Sequence, residues 1–93
     1  MRKLLWGKTF IKAFKRTIKK HPNLRGDIEE VLRVMMENPF APQLATHKLK
    51  GNLAGTWTCS VGYNMRIIFD FIKNKQGEDD IFLLEIGVHD EVY

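Results

Sequence analysis

Hydrophobic residues recur with two different periods along the chain, and the period changes near the middle. Between residues 9 and 37 the spacing is helical. The apolar positions are Phe10, Ile11, Phe14 and Ile18 in the first stretch and Ile28, Val31, Leu32 and Met35 in the second. This spacing predicts a helix from a Thr9 cap to Lys20 and another from an Asn23 cap to about Glu37. Pro22 separates the two, which predicts an antiparallel helix pair.

After residue 55 the pattern becomes that of strands, predicted over 56–61, 65–72 and 80–88. Ile81–Ile86 is almost entirely apolar, which indicates a central strand covered on both faces. Residues 2–6 alternate weakly and predict a short first strand, whereas residues 40–46 read as a loop. The predicted fold is therefore α+β, in a single domain over residues 1–93. A short N-terminal strand and an antiparallel helix pair precede a three-stranded antiparallel meander.

Charge is distributed unevenly along the 93 residues, although the net charge is only +4. Residues 1–25 hold nine Lys or Arg and no acid, and residues 74–93 hold six acids and one lysine. A one-sided basic surface favours a polyanionic partner, because binding neutralises phosphates and releases counterions. A solvated, lysine-rich helix face explains the same pattern equally well.

Several classes of protein are disfavoured by the composition. Cys59 is the only cysteine, so an internal disulfide or a thiolate metal site is not expected. No apolar run approaches 18 residues, and the apolar part of the N-terminus is too short for a signal peptide. We therefore expect a cytoplasmic protein that uses no metal or other cofactor and does not contact a membrane.

Candidate functional residues cluster in two stretches and one strand. The first stretch, His47-Lys48-Leu49-Lys50-Gly51, places two lysines at alternating positions, so both point to one side. The second, 85–93, contains His89 and ends in Tyr93. Arg66 interrupts an apolar strand, where it could pair with an acid such as Glu85 or Asp70, or bind phosphate.

These motifs, in this order on this layout, resemble the RelE/ParE superfamily of bacterial type II toxins, most closely its YafQ-like branch. The resemblance spans essentially the whole chain and implies a ribosome-dependent endoribonuclease that cuts mRNA and is silenced by a cognate antitoxin. His47, His89 and Tyr93 match two histidines and an aromatic residue of that branch. Ser60 and Asn64 stand where it has a further histidine and an aspartate.

Lys48, Lys50 and Arg66 resemble the set of cationic residues found in RelE proper. Val61 stands where RelE proper has a further arginine. The site therefore combines features of both branches.

RNA cleavage by acid–base chemistry needs a base for the 2′-hydroxyl, an acid for the departing 5′-oxygen and cations for the phosphorane. Histidine suits the first two roles because its ordinary pKa is roughly 6.5, and fixed cations suit the third. We expect catalytic roles for His89, His47, Tyr93 and Arg66. Phosphate contacts are expected from Lys48, Lys50, Lys12, Lys15, Arg16 and Lys19.

Two other functions fit the same sequence. One is a non-enzymatic toxin of the ParE type, which shares the fold and poisons DNA gyrase by binding. The other is a basic RNA-binding module without cleavage. The histidine-bearing C-terminal stretch favours the nuclease.

Overall fold

The computed structural model describes residues 2–51 and 55–88, which form two helices and five strands. In chain order the elements are β1 (Leu4–Trp6), α1 (Lys8–Lys20), α2 (Arg25–Glu37), β2 (His47–Lys48), β3 (Trp57–Val61), β4 (Met65–Lys73) and β5 (Asp79–Val88). Short 3-10 turns over Pro22–Leu24 and Pro42–Leu44 precede α2 and β2.

The strands form one mixed sheet in the order β1-β5-β4-β3-β2. The predicted antiparallel meander of β3, β4 and β5 is confirmed. The sheet also extends beyond it on both sides: β1 pairs with β5 in parallel, and the short β2 pairs with β3 antiparallel. The β2 strand directly follows the predicted loop of residues 40–46 and is an edge strand that was not among the predicted ones.

Both helices cover one face of the sheet. Phe10 and Ala13 of α1 and Ile28 and Met35 of α2 are fully or almost fully buried against that face. The sheet contributes every second residue of β3 and β4 to the same core, whereas the core residues of β5 lie on either side of a register shift. These sheet residues are Cys59 and Val61 of β3, Met65, Ile67 and Phe69 of β4, and Ile81, Leu83 and Ile86 of β5. Burial of this apolar surface is the main source of stability.

Both helices begin at residues other than those predicted. The N-cap of α1 is Gly7 rather than Thr9, because the Gly7 amide donates to the Leu83 carbonyl (3.0 Å) and fixes the corner between β1 and α1. The N-cap of α2 is Leu24 rather than Asn23, because Asn23 belongs to the 3-10 turn that starts at Pro22.

The burial of β5 differs from the predicted cover on both faces. The strand does lie inside the sheet, between β1 and β4. Ile81 and Leu83 are buried beneath the helices, but Phe82 and Leu84 on the other face are only half-buried. None of the helices in residues 2–51 and 55–88 is long and apolar enough to cross a membrane.

Candidate functional site

The sheet face opposite the helices carries two of the predicted catalytic residues. Register places His47 opposite Thr58 and Arg66 opposite Ser60, and side chains at directly paired positions share a face. His47 and Arg66 are two strands and two residues apart, so their Cα atoms are separated by roughly 12 Å. Two side chains at that separation can contact a single phosphodiester from opposite sides.

His47 is exposed, and a backbone contact determines which of its nitrogens is available. Its Nδ1 lies 3.0 Å from the carbonyl oxygen of Ala45, and a carbonyl can only accept, so Nδ1 carries a proton. In the neutral ring Nε2 is then unprotonated. Ala45 has left-handed backbone geometry (φ 51°), and the Thr46 hydroxyl donates to the Pro39 carbonyl (2.6 Å), which anchors the segment before β2.

Arg66 is half-buried, and its Nη1 donates to the carbonyl of Met65 (2.8 Å). Within the described residues neither acid named as a possible partner pairs with it. The Asp70 carboxylate accepts from the Phe71 amide, and Glu85 accepts from the Ile86 amide. The residue opposite Arg66 on β5 is Gly87, which has no side chain to fill the space beside the guanidinium. This environment suits a guanidinium that binds an external anion.

The predicted lysines lie at the edge of the sheet. Lys48 and Lys50 are exposed, and Leu49 between them is buried and donates its amide to the Thr56 carbonyl (2.9 Å). The Lys48 Nζ lies over the ring of Trp57, 5.8 Å from its centre. Paired strand positions place Lys48 on the helix side, away from His47. The two neighbours therefore cannot act on one phosphate from the same face.

Helix α1 carries the remaining predicted cations, all of them exposed and in the helical layer rather than on the face of His47. Arg16 differs from Lys12, Lys15 and Lys19, because it lines a cavity of about 250 Å³ at the end of the sheet. Asn64 and Gly87 line the same cavity. The fold thus brings Arg16 to the same cavity as Gly87, which is paired with Arg66.

Thr58 was not predicted as a site residue, yet it lies directly opposite His47. It is fully buried, and its hydroxyl has no hydrogen-bond partner among the described residues. Such a group is uncommon, because burying an unpaired hydroxyl costs free energy. The sequence signal was only a polar residue within a predicted strand.

Two residues of β3 have packing roles. Trp57 packs edge-on against Phe40 and Phe71, with ring centres 5.4 and 5.5 Å apart. Cys59 is fully buried, and this burial raises the pKa of its thiol to about 12, with a smaller opposing effect from Arg66. His89 and Tyr93 lie outside the described residues. In the part of the chain that is described, no three His, Cys, Asp or Glu side chains form a group able to hold a metal ion.

Known proteins similar to this chain include several toxins of solved structure. YafQ from E. coli strain BL21(DE3) superposes with a TM-score of 0.80 at 15% identity, covering 100% of this chain and 99% of the other. YafQ in the E. coli DinJ-YafQ toxin-antitoxin complex gives 0.75 at 16% identity, with 99% and 97% covered. A metal-bound toxin from Helicobacter pylori gives 0.72 at 27% identity, with both chains fully covered.

The sequence itself matches a family model. No curated protein sequence matches the chain. Residues 2–93 match the family described as bacterial toxin of type II toxin-antitoxin system, YafQ. The match covers both histidine-bearing stretches and every element of the fold, so the chain belongs to the YafQ family of type II toxin–antitoxin toxins.

Proposed function

We propose that this toxin is a ribosome-dependent endoribonuclease of the cytoplasm that cleaves mRNA by acid–base chemistry and is silenced by a cognate antitoxin. The observation that carries the proposal is that one sheet face holds both His47, whose neutral ring has an unprotonated Nε2, and Arg66, which has no acidic partner within residues 2–51 and 55–88. Family membership and the E. coli toxin–antitoxin complex support the antitoxin as partner.

In this mechanism the Nε2 of His47 takes the proton of the ribose 2′-hydroxyl. The 2′-oxygen then attacks the adjacent phosphorus, and the bond from phosphorus to the 5′-oxygen breaks. The departing 5′-oxygen takes a proton from His89, which leaves a 2′,3′-cyclic phosphate and a 5′-hydroxyl end. The guanidinium of Arg66 stabilises the charge that builds up on the phosphorane.

Tyr93 and the cations serve RNA binding in this scheme. The ring of Tyr93 stacks on a base or orients His89, as aromatic residues do in RNA recognition. Lys50 and Arg16 contact phosphates near the cleaved bond, because the first lies on the edge next to β2 and the second beside Gly87. Lys48, Lys12, Lys15 and Lys19 contact phosphates further away, on the ribosome.

The test is translation in vitro followed by primer extension on the mRNA. The parent protein should produce cuts at defined codon positions, and His89→Gln should abolish them. His47→Ala should slow cleavage by about 10²–10⁴-fold, the usual contribution of general acid–base catalysis, and should remove one limb of the pH–rate profile.

A change away from the site provides a control. Lys75 is exposed in the turn between β4 and β5, and Lys75→Gln should cleave within about threefold of the parent. All variants are checked for folding by circular dichroism. Cleavage by folded His89→Gln at near-parental rate would refute the assignment of the acid, and gyrase-dependent DNA breaks without mRNA cuts would indicate the ParE-type function instead.

A further inference from the structure

A cavity of about 250 Å³ lies where the C-terminal end of α1 meets the end of the sheet at which β4 begins and β5 ends. The helix and its C-cap contribute Arg16, Thr17, Lys20 and His21, and the sheet end contributes Asn64 and Gly87. The residues described as lining it include no Asp or Glu. The cavity is smaller than the roughly 300–1,000 Å³ of sites that hold drug-sized ligands, so it suits one small group.

The two helix cations on this cavity are four residues apart, so they lie on one side of α1, one turn from each other. Within the part of the chain that the structure describes, the side chain of neither Arg16 nor Lys20 makes a hydrogen bond or ion pair. Arg33 of α2 differs, because its guanidinium is paired with Glu30 and Glu37 at 2.7 and 2.8 Å. The charges of Arg16 and Lys20 are therefore available to an anion that enters the cavity.

Uncharged donors line the same cavity. The Asn64 side chain has an NH₂ group, the Thr17 hydroxyl can donate, and the His21 ring carries at least one N–H in either protonation state. Phosphate oxygens accept hydrogen bonds, so a phosphate group can use these donors together. The C-terminus of α1 opposes an anion with about half an elementary charge, which the two full charges of Arg16 and Lys20 exceed.

Gly87 connects the cavity to the proposed cleavage site. This residue lines the cavity and pairs directly with Arg66 across β4 and β5, so the two Cα atoms are roughly 5 Å apart. Arg66 is the second residue of β4, which begins at Met65. An RNA backbone that contacts Arg66 can therefore continue around this end of the sheet and bring a neighbouring phosphate to Arg16 and Lys20.

We propose that this cavity binds a phosphate group of the RNA backbone next to the phosphate that Arg66 contacts. Arg16 and Lys20 supply the charge, and Asn64 and the other donors orient the phosphate oxygens. RNA as the source of the phosphate rests on the proposed function, whereas the preference for an anion rests on the side chains that line the cavity.

Two lysines on the same helix test the charge. Lys20 lines the cavity, and Lys8 is exposed at the other end of α1, about 18 Å away along the helix axis. The probe is a fluorescent single-stranded RNA hexamer with 2′-O-methyl groups, which cannot be cleaved because it lacks the attacking hydroxyl. Fluorescence anisotropy measures its affinity at a series of salt concentrations.

Lys20→Gln should lower the log–log salt slope of hexamer binding by about 0.7, the value for one phosphate contact on a single strand. Lys8→Gln removes the same charge and should leave the slope unchanged. Equal slopes for both variants and the parent, or a parent that does not bind the hexamer, would overturn the proposal.

An amide-to-carboxylate change tests the cavity without removing a cation. Asn64→Asp keeps the shape of the side chain but places a negative charge beside the phosphate, so it should weaken hexamer binding at least about tenfold. Gln76→Glu makes the same change in the exposed turn between β4 and β5, at the opposite end of the sheet, and should stay within about twofold. Circular dichroism and thermal unfolding check that each variant folds. Equal affinities of the two folded variants would contradict a phosphate at Asn64.

Inorganic phosphate distinguishes a single ion from RNA as the ligand. Titrated at constant ionic strength, it should shift the NMR signal of the Asn64 side-chain amide in the parent, and the shift should be smaller in Lys20→Gln. If phosphate produces this shift but hexamer binding is the same in the parent, Lys20→Gln and Asn64→Asp, the cavity holds a single ion only, and the assignment to RNA is overturned.

Cleavage of mRNA separates failure of this proposal from failure of the proposed function. If the parent cuts mRNA during translation but every variant binds the hexamer like the parent, the cavity assignment fails and the nuclease assignment stands. If the parent cuts no mRNA but Lys20→Gln and Asn64→Asp weaken hexamer binding as expected, the nuclease assignment fails and the phosphate site stands.

Discussion

At the scale of single residues, the backbone carbonyl of Ala45 determines which nitrogen of His47 can act. The contact to Nδ1 holds the neutral ring in one tautomer, in which Nε2 carries no proton. Ala45 adopts a left-handed conformation, which costs free energy for a residue with a Cβ atom. This unfavourable conformation occurs in the turn whose carbonyl contacts His47.

A second residue, Asp80, makes stability depend on pH. The amide of Lys3 and, to a lesser extent, the side chain of Asn74 donate to its carboxylate, and both lower the pKa of Asp80 below its ordinary value. A carboxyl whose pKa is lower in the folded state stabilises the fold fully above its unfolded pKa of about 3.9. That contribution is lost as the pH falls through the lowered pKa.

We expect Asp80→Asn to be less stable than the parent at pH 6, and the difference to shrink steadily as the pH is lowered towards 2. Urea unfolding at a series of pH values measures it. Both proteins should keep the same urea m-value, which shows that the same surface is exposed on unfolding. A difference that stays constant with pH would contradict the role of the Asp80 charge.

At the scale of elements, Gly7 allows β1, α1 and β5 to meet closely. A Cβ atom at this position would lie 2.7 Å from the Leu83 carbonyl oxygen and 2.8 Å from the Phe82 ring. The carbonyl cannot withdraw without losing its hydrogen bond from the Gly7 amide. A side chain at position 7 must therefore separate the helix from the sheet.

We predict that Gly7→Ala lowers the free energy of unfolding by about 1–3 kcal/mol, the usual cost of overpacking. Gly26→Ala is the matched control, because Gly26 lies in α2 with nothing within 4 Å of an added Cβ atom. It should raise stability by up to about 1 kcal/mol through helix propensity. Thermal and urea unfolding measure both, and equal effects of the two changes would rule out the close approach at Gly7.

The two helices also differ in how their charges are balanced. The α2 arginines have acidic partners on the same helix, as in the pair of Arg25 with Glu29 at 3.2 Å. Helix α1 has no acidic residue, so its cations remain available to an external polyanion. The excess positive charge of the two helices therefore lies on α1.

Neutralising Lys12, Lys15, Arg16, Lys19 and Lys20 should weaken ribosome binding and flatten its dependence on salt. The log–log slope should fall by about 0.7–0.9 for each phosphate contact that is lost. The control neutralises the Arg25–Glu29 pair together and should leave the slope unchanged. A slope that stays the same in the α1 variant would show that this helix is only solvated.

At the scale of the whole molecule, Cys59 reports on the integrity of the core. Its thiol is fully buried beside Met35, and its pKa of about 12 leaves almost no thiolate at neutral pH. A thiol reagent can reach it only when the two layers separate. Its reactivity therefore follows the opening of the core.

We expect a disulfide reagent at pH 8 to label Cys59 on the order of 10³-fold more slowly in the native protein than in the urea-unfolded chain, as the usual stability of a small domain implies. Tyr63→Cys in a Cys59→Ala background is the control, since Tyr63 is 96% exposed. That thiol should react at nearly the unfolded rate. Rapid labelling of native Cys59 would show that the core opens locally without global unfolding.

The sequence predicted the secondary structure well where one hydrophobic spacing continues over many consecutive residues. The helix spacing of residues 9–37 and the alternation in β3 and β4 reflect burial on one face, and these elements were correctly assigned. The β2 strand was missed because two residues carry no measurable period, and its pairing depends on distant Trp57 and Thr58.

The candidate site was only partly predictable for a similar reason. His47 and Arg66 follow from motifs, and register places them on one face. The separation of Lys48 from His47 follows from strand alternation, but only once β2 is known to exist. The relation of Arg16 to Gly87 depends on how α1 crosses the sheet, which no local pattern encodes.

Because β1 pairs in parallel with β5, the sheet cannot be completed until the C-terminal part of the chain has been synthesised. The hydrogen bond from the Lys3 amide to Asp80 joins residues 77 positions apart. The hydrogen bond from the Gly7 amide to the Leu83 carbonyl also forms only after β5 has been made. At 5–20 residues per second the ribosome needs about 4–15 s to make that interval. During this time the core-facing side of α1 has no β5 to cover it. The toxin therefore cannot complete its fold until the ribosome has synthesised β5.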